Sequence, residues 1–209
     1  SVNRLEQIYN NANAQENLKA KEMLDDAIWY EGFDGGLPGS WQSVDLSGYV
    51  GFVHTYSGPQ GSYSQGVPGI NSSSASNGFM ILDSDLASEH NPGGLTDAYI
   101  QSPPIDLSGH PHVMLSFQHF FRYCCSFQGT QLLVEVSNDG EQWVSFDVKN
   151  GVWPNNLSQN AIHQLVNISE VAAGHEQVWI RFRKIGASHY FWMIDDVSIN
   201  TYTANDLEL

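Results

Sequence analysis

The sequence predicts an all-β chain folded as a two-sheet antiparallel sandwich, with a short helical segment in front. Three observations carry this expectation. From Ile28 onward, short apolar or alternating runs are separated by clusters of Gly, Ser, Pro and Asn, the pattern of strands and turns. Roughly eight to ten such runs follow one another at sandwich spacing. The first 27 residues differ: they are rich in Asn, Gln, Ala, Lys and Glu and contain neither Gly nor Pro.

In that first segment Leu5, Ile8, Leu18, Met23 and Leu24 fall near helical spacing, interrupted by Asn10–Asn13, so one or two short helices are expected over 1–27. The segment reads as a linker or a helix packed on the body. The body, 28–202, opens with Trp29-Tyr30-Glu31-Gly32-Phe33-Asp34. Phe79–Leu82 follows Asn77-Gly78, and Ala98–Gln101 runs into Ser102-Pro103-Pro104. Val113–Tyr123 is long enough for a central strand. Gln131–Ser137 ends at Asn138-Asp139-Gly140, a hairpin signal that Trp143–Phe146 answers. Ile162–Ile168 and Val178–Ile185 alternate, and Phe191–Ile199 closes the series before a tail at 203–209. Residues 45–77 form a long Gly-, Ser- and Tyr-rich stretch without Lys or Arg, and a loop of that length marks a functional or mobile segment.

Composition narrows the function classes. The chain's 209 residues suit one domain. Acidic residues outnumber basic ones 23 to 8, for a formal net charge of −15. A nucleic-acid partner is disfavoured, because binding one needs basic side chains that displace counterions. An anionic membrane surface is disfavoured for the same reason, and no apolar run reaches the roughly 18 residues of a span. A strongly acidic chain suits hard cations and an extracellular life. No charged-then-apolar leader is visible, so Ser1 is expected to be a processed or engineered start. The adjacent Cys124 and Cys125 do not match a zinc spacing. On a strand they would point to opposite faces, so two free thiols are expected, or at most a bond between the two.

Carboxylates mark the candidate metal site. The first and last strand-like runs both carry acids where a strand should bury apolar side chains, and such acids need a partner. With so few Lys and Arg, a cation is the expected partner. If the two strands lie side by side, their acids can converge on one Ca²⁺, which takes six to eight oxygens at about 2.3–2.6 Å. The candidate ligands are Glu31, Asp34, Asp83, Asp85, Asp195 and Asp196. Asp83 and Asp85 share a face if their strand continues. Of Asp195 and Asp196 one should point inward, Asp196 being preferred, with a bulge able to shift the register.

Other candidates are fewer. His54, Tyr56 and Tyr63 in the long loop, Trp153 in a turn-like segment and Tyr190 could gather on one rim as a platform for sugar rings or peptide anchors. His119 and Arg122, in the central run, read as a satisfied part of the sandwich with Arg122 held by a carboxylate, or as pocket lining. There is no Gly-x-Ser-x-Gly elbow and no His-Glu-x-x-His motif. The chain is therefore read as not an enzyme.

Several segments in order resemble one family group. Glu31–Trp41, Gly78–Asp85, Ala98–Gly109, Leu115–Tyr123, Glu135–Gly140 and Ile194–Val197 are together similar to cleaved-adhesin and MAM-like jelly-roll domains of bacterial secreted and surface proteins. The resemblance covers about 28–202. It implies a jelly-roll sandwich outside the cell or at its surface, a structural calcium between the terminal strands, and service as one module of a larger protein. The function it implies is adhesion or binding of an extracellular protein or glycan. Two alternatives are a carbohydrate-binding module proper and an accessory domain of a secreted peptidase. The spaced disulfide cysteines of MAM domains are lacking, which moves the resemblance toward the adhesin branch.

Overall fold

The computed structural model describes residues 27–201 apart from Asn91 and Phe127. The helical segment expected over 1–27 and the tail at 203–209 lie outside the described residues, save for Ala27. The body is the expected sandwich. Its strands are β1 (Ala27–Glu31), β2 (Gln42–Asp45), β3 (Val53–Thr55), β4 (Phe79–Asp83), β5 (Leu95–Gln101), β6 (Val113–Arg122), β7 (Gln131–Ser137), β8 (Val144–Asp147), β9 (Ile162–Asn167), β10 (Trp179–Ala187) and β11 (Phe191–Thr201). One sheet has the order β3-β4-β11-β6-β9, with β1 also on β11; the other has the order β2-β5-β10-β7-β8. Every named pairing is antiparallel.

Alternation builds the core between the sheets. Leu115, Phe117 and Phe121 of β6, Trp192 and Ile194 of β11, Val134 and Val136 of β7, and Ile180 and Phe182 of β10 all face inward and are buried. Each such large side chain contributes about 1.5–3 kcal/mol by leaving water. His119 shares this interior. It is fully buried, its Nδ1 accepts the Trp192 indole N–H at 3.3 Å, and burial drives its pKa down to about 3. It is therefore a neutral core residue. Phe33 and Trp41, edge to face at 5.1 Å, close one end of the sandwich.

Three local features differ from the sequence expectation. The strand at Phe79–Asp83 does not continue, because a helix starts at Ser84 and runs to His90. Asp83 and Asp85 therefore do not share a strand face. A second short helix spans Ser169–Ala172, so helix is not confined to the front of the chain. The long Gly/Ser stretch contains β3 and lies across the outer face of the six-stranded sheet. There Val67, Ile70 and Ala75 pack with Phe79, Ile81, Phe120, Phe191 and Met193 into a second small apolar cluster. No helix among the described residues is long and apolar enough to cross a membrane.

Candidate functional sites

The first and last strands do lie side by side, with Glu31 opposite Val197 and Ala27 opposite Asn200. Along the same edge of β11, β4 pairs with Phe191–Ile194. The strand thus changes partner at Asp195-Asp196. A register shift against β6 falls between Asp195 and Ser198, and Asp196 has a φ of 49°. The bulge leaves both acids without a strand neighbour on that edge, and the Ser72–Ser74 segment fills the opening. Asp196 Oδ2 accepts the backbone N–H groups of Ser73 and Ser74 at 2.8 and 3.2 Å and Gln118 Nε2 at 2.8 Å. Its Oδ1 accepts the Tyr30 and Ser74 hydroxyls at 2.7 and 2.6 Å. Asp195 Oδ2 accepts the Ser72 hydroxyl, while its Oδ1 is buried with no hydrogen-bond partner among the described residues. Burial, reinforced by the charge of Asp196, pushes the Asp195 carboxyl up to about 6. Burial likewise raises the Tyr30 phenol, helped by its bond to Asp196.

The second acidic site is built differently. Asp83 Oδ2 accepts the backbone N–H groups of Gln60 and Gly61 at 2.6 and 3.0 Å. Asp85, fully buried, accepts the Ser64 hydroxyl and the Tyr190 N–H, the latter at 2.6 Å. Gly61 is required here, since a Cβ on it would sit 2.0 Å from Asp85 Cβ. Lys184, on an inward position of β10 and fully buried, supplies the positive charge. Its Nζ donates to Ser84 Oγ at 2.5 Å and to the carbonyls of His189 and Ala187 at 3.1 and 3.2 Å. Burial pulls its pKa down to about 7, and the charges of Asp85 and Asp83 oppose that fall. The ammonium acts on these two acids through its charge rather than by a direct ion pair, and Asp83 Oδ1 is buried with no hydrogen-bond partner among the described residues.

The six acids thus fall in three places. Glu31 turns its Oε1 to the Phe33 N–H at 2.8 Å, and burial raises its pKa. Its neighbour Tyr30 reaches Asp196, so strand alternation sends Glu31 to the other face of β1. Asp34 is exposed in the following turn. Among the described residues no three carboxylates bring oxygens within 4.8 Å of one another; the group that meets this criterion is Cys124, Cys125 and His189. The two cysteines are joined to each other. They lie beyond the end of β6, where strand alternation no longer holds them to opposite faces.

The rim aromatics divide in two. His54 and Tyr56 meet edge to face at 5.0 Å beside the edge strand β3. Tyr63 and Tyr190 flank His189 at 5.3 and 6.2 Å. Arg122 stacks on Tyr190 at 4.0 Å and donates to the Asn155 carbonyl at 2.8 Å, so among the described residues its partners are a ring and a backbone oxygen, not a carboxylate. Trp153, 71% exposed, stands on the same loop as Asn155.

One surface escaped the sequence reading. On the outer face of the five-stranded sheet, Gln42, Gln101, Arg181, Glu135 and Ser145 are directly opposite one another across all five strands. At about 4.8 Å between strands this polar stripe runs roughly 19 Å. The Arg181 guanidinium lies over Trp143 at 3.6 Å and Tyr99 at 4.4 Å, and its Nε donates to Gln101 Oε1 at 2.6 Å. Beside it Arg183 grips Asp97 through two bonds of 2.8 Å and approaches Glu135 Oε1 at 3.5 Å. Glu135 is 4% exposed, and its Oε2 has no hydrogen-bond partner among the described residues. Register alone assembles the stripe, so no linear motif announces it.

No family model matches the chain, and no curated protein matches it. Solved structures do resemble it. The K3 cleaved adhesin domain of Lys-gingipain from Porphyromonas gingivalis aligns at 18% identity over 84% of this chain and 99% of that one, with a TM-score of 0.53. The K1 domain of the same protein aligns at 20% identity over 84% and 98%, with a TM-score of 0.50. TmCBM61, solved with β-1,4-galactotriose, aligns at 12% identity over 82% and 94%; its TM-score of 0.49 carries no weight. The chain therefore has a cleaved-adhesin-like fold, and at these identities the likeness establishes the fold alone.

Proposed function

We propose that this chain is a non-enzymatic extracellular binding module whose ligand face is the outer surface of the five-stranded sheet, and that its ligand is a glycan. The observation that carries the reading is the five-strand polar stripe with Arg181 held between Tyr99 and Trp143. A sugar offers hydroxyls for the stripe and an apolar ring face for the aromatics. Adhesion through such a face fits a module of a larger surface protein.

The reading is non-enzymatic for a structural reason as well. A nucleophile–base contact exists, Ser116 Oγ to His163 Nε2 at 2.6 Å, and burial lowers the His163 pKa while the charge of Asp196 opposes that fall. Ser116 is fully buried, however, and the oxygens of Asp196 are taken by Tyr30, Ser73, Ser74 and Gln118. A substrate carbonyl has no approach to that hydroxyl.

Structural calcium belongs to the proposal at Asp195 and Asp196. The support is the buried Asp195 Oδ1 without a partner, next to a second carboxylate and the Ser72 and Ser74 hydroxyls, a set of hard oxygens that suits Ca²⁺. Asp83 and Asp85 are left out, since the charge of the buried Lys184 already acts on both.

An array of immobilised oligosaccharides, followed by calorimetry on the best binder, tests the ligand. Arg181→Ala and Trp143→Ala are each expected to weaken binding at least tenfold, while Tyr56→Ala leaves it unchanged. Retained binding in both sheet-face variants would move the ligand seat elsewhere; a blank array would end the glycan reading.

A further inference from the structure

We propose that Cys124, Cys125 and His189 form a redox-gated site for a thiophilic divalent cation, closed as the disulfide and open as the dithiol. Both sulfurs and one ring nitrogen of His189 lie within 4.8 Å of one another. Around a tetrahedral ion with Zn–S near 2.3 Å and Zn–N near 2.0–2.1 Å, ligand atoms stand roughly 3.5–3.8 Å apart, a spacing that the two sulfurs reach by parting once their bond is reduced and that lies inside the bound on all three atoms. Imidazole and thiolate together are the donor set of zinc and its softer relatives, not of calcium.

The fold stitches the two ligand-bearing segments together. Gly186 has a φ of 127°, and a Cβ on it would meet the Gly129 carbonyl oxygen at 2.3 Å and Thr130 Cα at 2.7 Å. Only a glycine lets the end of β10, three residues before His189, lie against the loop that follows the cysteines. Thr130 then bridges them: its hydroxyl donates to the Cys124 carbonyl and accepts the Ala187 N–H at 3.3 Å. Lys184 Nζ anchors the His189 carbonyl from below at 3.1 Å.

A buried carboxylate faces the imidazole, close enough to favour its N–H on that side without a direct hydrogen bond. His189 Nδ1 stands 3.8 Å from Asp85 Oδ1, and Asp85 is fully buried and fixed by the Tyr190 N–H. Tyr63 and Tyr190 pack on the ring's flanks. Cys124 is 6% exposed while Cys125 is open to solvent, which gives a reductant and then an ion a way in.

Gating follows from sulfur chemistry. As a disulfide the sulfurs are bonded to each other, and the thiolate is the form that ligates. An external dithiol exchanges with the bond: its two electrons and two protons pass to Cys124 and Cys125, and it leaves as its own cyclic disulfide. The divalent cation then displaces the two thiol protons and takes both thiolates together with His189.

Zinc titration against a chromophoric chelator tests this, on the chain as isolated and on chain reduced with excess dithiol and desalted without oxygen. One additional Zn²⁺ per chain is expected after reduction. Cys125→Ser, at the exposed position, should abolish that increment, and His189→Ala should weaken it at least tenfold. The Asp195→Asn variant should keep it, which separates this site from the carboxylate one. The proposal fails if reduction adds no zinc, if His189→Ala binds like the parent, or if thiol labelling finds both cysteines free before reduction.

Discussion

The two acidic sites differ in one respect, the source of compensating charge. At Asp83 and Asp85 a fully buried lysine is threaded in from the facing sheet, and its ammonium also ties down the carbonyls of Ala187 and His189. At Asp195 and Asp196 the partners are hydroxyls, an amide and backbone N–H groups, with no lysine or arginine among the described residues, and each site keeps one buried oxygen without a hydrogen-bond partner among them, Asp195 Oδ1 here and Asp83 Oδ1 there. A carboxylate pair meets its desolvation cost either with an internal cation or by waiting for an external one. The protein does both, a short distance along neighbouring strands.

The contrast breaks most sharply at Lys184. Removing the cation from a buried charged network costs about 3–5 kcal/mol. At roughly 2–4 °C per kcal/mol for a chain of this size, Lys184→Met should lower the Tm by roughly 6–20 °C. A Tm within a degree or two of the parent would mean that Asp83 and Asp85 do not depend on the lysine. Calcium tests the other site. A ligand at 100-fold over its Kd, binding only the folded state, adds about 2.7 kcal/mol, or roughly 5–10 °C. Calorimetry with calcium and with chelator should show that rise in the parent and in Lys184→Met if that variant folds, and should not show it in Asp195→Asn. Equal melting with and without the ion in the parent would sink the calcium proposal.

The smallest effect belongs to a buried group that uses neither remedy. His119 stays neutral because burial holds its pKa near 3, whereas an unfolded histidine titrates near 6.5. Between those values the unfolded chain binds a proton that the folded chain refuses, so stability rises with pH and falls on acidification. At pH 5 the loss from this one residue is about 2 kcal/mol. His119→Phe keeps the ring contacts with Phe117 and Phe121 and should flatten the Tm slope between pH 6.5 and 5, whatever it does to the absolute Tm. An unaltered slope would assign the acid sensitivity to other groups.

How much of this was legible in the sequence depends on the distance between cause and effect. Nine of the eleven strands were readable, because alternation and turn residues act within a few positions. β2 and β3 were not: with four and three residues in a Gly/Ser-rich stretch they are too short to show a period, and they exist because β5 and β4 offer them an edge. The helix at Ser84 was missed because the apolar run Phe79–Leu82 read on through Asp83. At the sites, the acids themselves stood out, and Asp195-Asp196 was seen as a bulge position. Their partners could not be seen, since Lys184 lies 100 residues from the Ser84 hydroxyl it binds, and Ser72 123 residues from Asp195. The sheet-face stripe needs four pairing registers at once. Arg122 went to a tyrosine ring and a carbonyl because the loop carrying Asn155 arrives beside it, a matter of tertiary contact.

The partner change along β11 has a mechanical consequence. Because Ala27 sits opposite Asn200, the described chain enters and leaves at the same end of the same sheet, on neighbouring strands. Tension between those two points loads the rungs joining β1 to β11 one after another, as a zip opens, rather than all at once in shear. The last rung before the bulge is Glu31 on Val197, and one residue earlier Tyr30 reaches across to Asp196. A pulled module would therefore yield first at β1 and stop at the acidic pair, so an ion held there would act as the catch on the zip, and calcium would set the force at which the terminal strand lets go.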